Sequence, residues 1–166
     1  EMDWNNDMTP WKAPAVKDGE FGGHAGQFLD RLKEDLFFNL EISLRIQKAE
    51  RYLVGVSLSG LFAVWCTGCM PLFEGVGSVS GSLWYDGFLE WMKTREEFMC
   101  GKYYFSLGEK EKEGKNKRLA SVEEATLEVI ELLKSAGKET IFEYNEGNHF
   151  GPLIERIEKA IIETTS

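Results

Sequence analysis

The run Gly55-Val56-Ser57-Leu58-Ser59-Gly60 sets a serine between small residues, with an apolar stretch on either side. Where a buried strand reverses sharply into a helix, the residues two before and two after the turning residue must be small, because the two backbones meet there. Gly55 and Ser59 fill those places. Such a turn lifts the Ser57 hydroxyl to the carboxyl edge of a sheet, and the start of the helix favours negative charge developing beside it. The Leu58 N–H then faces a developing oxyanion. This is the chemistry of a serine nucleophile. The plainer alternative is a small-residue strand–helix junction that does none.

A serine hydroxyl needs a base, and the base an anion to orient it. The chain has two histidines. His149 lies in Asn145-Glu146-Gly147-Asn148-His149-Phe150-Gly151-Pro152, a loop that follows an apolar run and so ends at the same sheet edge as Ser57. It suits the base, the alternative being a loop or helix-start histidine. His24, in Gly22-Gly23-His24-Ala25-Gly26, suits a structural or substrate-facing place. Leu107-Gly108-Glu109-Lys110-Glu111 offers two carboxylates for the acid. Glu111 is preferred because it has more reach back over the strand edge; Glu109 is the second choice, and a solvated charge run is the alternative for both. Leu83, Trp84 and Tyr85 follow another predicted strand and are placed in the pocket wall, with ordinary packing as the alternative.

These groups need elements to position them. Residues 1–22 are rich in Trp, Pro, Gly and Asp and read as loop. From 27 to 42, apolar residues at Phe28, Leu29, Leu32, Leu36, Phe37, Leu40 and Ile42 predict an amphipathic helix. Strands are predicted at 52–56, 75–80, 102–107 and 140–144. Helices are predicted at 58–66 and 87–93, then after Ser121, which suits an N-cap, with Ala125, Val129, Leu132 and Leu133 inward. The last is at 152–162 with Leu153, Ile154, Ile157, Ala160 and Ile161 inward. Strand and helix alternate, which gives an α/β architecture: a parallel, doubly wound sheet of about four strands flanked by helices.

Composition narrows the partners. With 43% hydrophobic residues the chain can bury a core as one domain. The net charge of −9 repels phosphate backbones, so no nucleic-acid partner is expected. No apolar run reaches the roughly 20 residues of a membrane span, so no membrane partner is expected either. Cys66, Cys69 and Cys100 are odd in number, and Cys66-Thr67-Gly68-Cys69 has no second pair or nearby histidine. They read as small buried thiols suited to the cytoplasm, with no metal and no cofactor.

Tyr52-Leu53-Val54-Gly55-Val56-Ser57-Leu58-Ser59-Gly60-Leu61-Phe62-Ala63 resembles the nucleophile elbow of the α/β hydrolases, in the branch that includes esterase D and the enterochelin esterases. Val79-Ser80-Gly81-Ser82-Leu83-Trp84 resembles that branch's serine-rich turn, 104–111 its acid loop, and Glu146-Gly147-Asn148-His149-Phe150 its histidine loop. Asp3-Trp4-Asn5-Asn6-Asp7-Met8-Thr9-Pro10-Trp11 resembles the loop upstream of the elbow. The resemblance implies an esterase with Ser57 as nucleophile, His149 as base, Glu111 as acid and a small-molecule ester as substrate. Ser59 departs from it, since the branch usually has glycine there. The branch also has further strands before residue 4, carrying a second oxyanion donor. Residues 1–166 are therefore read as a single α/β-hydrolase domain that forms the C-terminal portion of a longer chain, with an exposed sheet edge suited to homodimer formation. Two other classes stay open: a non-catalytic binding or assembly module, and an acyltransferase on the same triad.

Overall fold

The computed structural model describes residues 2–46 and 49–166. Residues 2–22 are more ordered than their composition suggests. The Asp3 carboxylate accepts from the N–H groups of Asn5 and Asn6, which starts a one-turn helix, α1 (Trp4–Asp7). Strands β1 (Lys12–Pro14) and β2 (Glu20–Gly22) then pair antiparallel. Pro14 is tolerated because it ends a short two-stranded ribbon.

The predicted helix over 27–42 forms in three parts: α2 (Ala25–Arg31), a π-helical stretch Leu32–Phe38 and α3 (Asn39–Leu44). Bonding from i to i+5 widens the turn, so a spacing read at 3.6 residues no longer stacks on one face. Leu29 is buried, and Phe28, Leu32 and Phe37 pack against the core, but Leu36, Leu40 and Ile42 are turned out to solvent.

The four predicted strands form one parallel sheet, β3 (Tyr52–Val56), β4 (Gly75–Val79), β5 (Lys102–Gly108) and β6 (Glu139–Asn145), in the order β3-β4-β5-β6. The order advances in one direction, without the reversal of a doubly wound sheet. Right-handed crossovers then put their helices on a common face. That face carries α4 (Leu58–Thr67), α5 (Phe88–Lys93) and α7 (Val122–Ser135), whose Leu61, Phe62, Phe88, Met92, Val129 and Leu133 join Val76, Tyr103 and Phe105 in one core. A short helix, α6 (Lys117–Ala120), precedes α7. Ser121 stands at the α7 N-cap position but does not cap it; its hydroxyl donates back to the Arg118 carbonyl.

The opposite face is covered by α8 (Leu153–Thr165). Its predicted inward face is corrected. The buried line is Arg156, Ala160 and Thr164, spaced by four, while Ile154 and Ile161 are exposed. The sheet dictates this. A Cβ on Gly75 would lie 2.7 Å from the Thr164 carbonyl oxygen, and one on Gly77 3.4 Å from Ala160 Cβ. The helix comes so close to β4 that only small or long, end-on side chains fit between them. Among the described residues no strand pairs with the outer edge of β3, the edge on which the expected pairing of two copies rests. Cys66 and Cys100 are buried as expected, but Cys69 is exposed.

Gly55→Ala tests the tightest junction. Its Cβ would sit 2.1 Å from the Ser59 carbonyl oxygen, so β3 and α4 must part. Urea unfolding is expected to show a loss of about 1–3 kcal/mol.

Candidate active site

Val56 ends β3 and Leu58 begins α4, with one residue between them. Ser57 takes φ 57° and ψ −121° to make that reversal. Such a backbone costs about 1–3 kcal/mol in a residue other than glycine and persists only when its surroundings hold it. The Ser57 N–H donates to the Val79 carbonyl at 3.0 Å, and its carbonyl accepts from Leu61 and Ser82 at 3.1 and 2.9 Å. Ser59, the departure from glycine, adds a clamp: its Oγ accepts from the Val56 N–H at 2.8 Å and donates to the Val56 carbonyl at 2.7 Å. Leu58 is the first residue of α4, so its N–H has no acceptor within the helix.

The acid loop follows β5. A 3₁₀ turn, Glu111–Glu113, folds Glu111 back over the strand end. Its Oε1 accepts from the Gly108 N–H at 2.6 Å and from Ser80 Oγ at 2.5 Å. Its Oε2 lies 3.0 Å from His149 Nδ1. Only 4% of the Glu111 side chain is exposed. Burial by itself pushes this carboxyl up, but the bonds from His149, Ser80 and the Gly108 N–H outweigh it and hold the group below its usual value. Beside an ionised Glu111, Nδ1 carries the imidazole proton and Nε2 is left as an acceptor. Glu109 lies one residue past the strand and is exposed.

The histidine loop is pressed onto the acid loop. Glu109 N–H donates to the Asn145 carbonyl at 2.9 Å and Lys110 N–H to the Gly147 carbonyl at 3.0 Å. A Cβ on Gly108 would meet the carbonyl oxygens of Gly147 and Asn148, each at 2.7 Å. Glycine at 108 is what lets the two loops touch.

Ser57, Glu111 and His149 line a single cavity of about 470 Å³. Trp84, Leu119, Val122 and Phe150 give it apolar walls, and Lys110 and Glu113 add charge. Among the described residues no hydrogen bond joins Ser57 Oγ to the imidazole; Ser57 Oγ faces Ser82 Oγ at 3.4 Å. Of the three predicted wall residues only Trp84 reaches this cavity. Leu83 and Tyr85 are 2% exposed and turn into the core, where the Tyr85 hydroxyl donates to the Trp11 carbonyl and its ring meets Phe21. The loop alternates sides: Leu83 joins the core, and Trp11 and Phe21 of the first 21 positions claim the Tyr85 ring. His24 is exposed, at the start of α2, away from the cavity.

Three residues at the site escape sequence reasoning. The role of Gly108 has no visible signal. Ser80 figures only as part of a resembling turn. Arg156 has one available signal: it shares a four-residue spacing with Ala160 and Thr164, so a charge stands on the inward line of α8.

No protein-family model matches the chain. It is 25% identical over 138 residues to the uncharacterized protein YbbA of Bacillus subtilis, covering 80% of this chain and 55% of that protein. Among solved structures, an IroE-like serine hydrolase from Shewanella oneidensis matches 97% of this chain and 56% of its own with a TM-score of 0.78 at 18% identity. The siderophore hydrolase EstB from Aspergillus nidulans matches 98% of this chain and 65% of its own, with a TM-score of 0.68 at 19% identity. The enterobactin esterase FES from Shigella flexneri matches 96% and 40%, with a TM-score of 0.66 at 16% identity. The chain thus spans little more than half of the curated relative and less than two thirds of each of these enzymes. Its fold is a partial α/β-hydrolase fold, the class the sequence resemblance implied.

Two outcomes follow from the site. Gly108→Ala drives the histidine loop off the acid loop. The Nδ1–H proton resonance of His149 is expected to lose its downfield position, with stability down by about 1–3 kcal/mol. Because the Glu111 carboxyl is lowered from 4.5 in the folded chain, its stabilising contribution is full above that value and fades as pH falls through the lower folded one. Melting temperature followed from neutral pH downward should therefore decline less steeply in Glu111→Gln than in the unaltered chain.

Proposed function

We propose that the chain carries the reacting groups of a serine hydrolase acting on carboxylic esters. Ser57 is the nucleophile, His149 the base and Glu111 the acid. The Ser57 oxygen attacks the ester carbonyl carbon while His149 Nε2 takes its proton. Glu111 accepts the Nδ1–H bond and stabilises the imidazolium. The Leu58 N–H donates to the oxyanion, a donor of a kind worth about 10²–10³ in rate. The alcohol leaves with the proton from His149, and an acyl group stays on Ser57. Water then attacks that ester, again through His149, and restores the serine.

The observation that carries this reading is the 3.0 Å contact of Glu111 with His149 in a cavity that Ser57 also lines. The strain stored at Ser57 supports it, since backbone of this kind clusters at functional sites. The hydrolase names of the structural neighbours agree with it. The apolar cavity walls suit a small-molecule ester. The free thiols Cys66, Cys69 and Cys100 suit a reducing compartment such as the cytoplasm.

A fluorophosphonate probe is expected to label Ser57, and His149→Ala to slow that labelling by about 10²–10⁴-fold. Labelling should rise with pH, because neutral His149 is the form that accepts a proton. Absence of labelling at Ser57, or labelling indifferent to His149→Ala, would overturn the proposal.

A further inference from the structure

We infer that Arg156 is a positioning residue which, through Ser80, balances the charge of the Glu111 carboxylate and keeps it aimed at His149. The inference rests on the triad proposed above. Arg156 is 2% exposed, one of the largest side chains so buried. It rises from α8 toward the rim of the sheet. Its Nη2 donates to Ser80 Oγ and lies 3.5 Å from Glu111 Oε1. Ser80 Oγ in turn donates to that same Oε1 at 2.5 Å. One hydroxyl therefore accepts from the cation and donates to the anion, and each bond polarises the other.

The rest of the guanidinium argues against a purely structural anchor. Arg156 Nε and Nη1 meet no acceptor among the described residues. Burying a cation is costly, and an anchoring arginine offsets that through a full set of acceptors. Arg156 has only Ser80 and Glu111. Ser80 is itself held out of ordinary geometry, at φ 45°, with its N–H donating to the Ser106 carbonyl at 2.7 Å. That backbone turns its hydroxyl between the two charges. The neighbouring α8 cation, Lys159, is engaged elsewhere, with Glu143 of β6, so Arg156 is the cation that reaches the acid.

The electrostatic consequence falls on His149. Glu111 is faced by Ser80 from just past β4, Gly108 from β5, His149 from its loop and Arg156 from α8. His149 is faced by Glu111 and the Phe150 ring, with Lys110 and Glu113 on the same cavity. With Arg156 present, the buried acid and cation balance each other. The imidazole feels an oriented acceptor more than a bare negative charge. Without Arg156 the carboxylate is uncompensated, and His149 holds its proton to higher pH.

The test compares Arg156→Met, Arg156→Lys and Ser80→Ala with the unaltered chain, reading kcat/KM for an activated ester against pH and the His149 titration by NMR. In Arg156→Met the acid limb is expected to move to higher pH, with kcat/KM down about tenfold on that limb and little changed at alkaline pH. The His149 titration should move the same way, Arg156→Lys should recover most of the profile, and Ser80→Ala should show a smaller shift of the same sign. A pH profile and a His149 titration that superimpose on those of the unaltered chain, with only the melting temperature lowered, would overturn the inference. Should Arg156→Met fail to fold, Ser80→Ala decides by the same readouts. The NMR titration needs no turnover. A chain that hydrolyses no ester would refute the proposed function, and the His149 titration would still decide the role of Arg156.

Discussion

The parallel ladder of four strands governs the site. Because β3, β4, β5 and β6 all run the same way in a continuous register, their carboxyl ends are forced onto one rim. Ser57, Ser80, Glu111 and His149 each lie a few residues past a different strand end. More than ninety residues separate Ser57 from His149 along the chain, yet backbone hydrogen bonds alone bring them to the same place. Local sequence then needs to supply only the last few ångströms, through one turn or loop per strand.

Those last steps depend on tight backbone contact more than on side-chain packing. Gly55 lets the elbow close, Gly108 lets the acid and histidine loops touch, and Gly75 and Gly77 let α8 settle on β4. The same closeness squeezes water from around Glu111. A carboxylate in that position is tolerable only because it has donors on both oxygens, from Ser80, Gly108 and His149. Burial and charge are thus resolved within a single cluster, with a cation from the last helix beneath it.

Much of this is legible in the residues alone. The strands announce themselves as short apolar runs, and the elbow follows from the small residues around Ser57. Reach favours Glu111 over Glu109, and it is Glu111 that meets His149. What escapes has physical causes. The helix over 27–42 contains a π-helical stretch, which a fixed period cannot anticipate, and its outer apolar residues keep a stripe that the fold does not use. Hydrophobicity is the wrong guide to the inward face of α8. On that helix the close approach of glycine-bearing β4 selects for side-chain size, leaving isoleucines outside and an arginine within. Their position after β4 points Leu83 and Tyr85 at the cavity, but both turn into the core, and the competing claim of Trp11 and Phe21 on Tyr85 comes from a segment whose composition suggests loop.

The Ser59 clamp has a consequence for the open flank of β3. Strand alternation directs the amide of Ser57 and both backbone groups of Gly55 toward β4, and those of Val56 the other way. Ser59 Oγ occupies both of the Val56 groups. Any ribbon of chain that annexes this flank therefore finds its final rung already taken. It can zip along the lower part of the strand but must peel away just before Ser57.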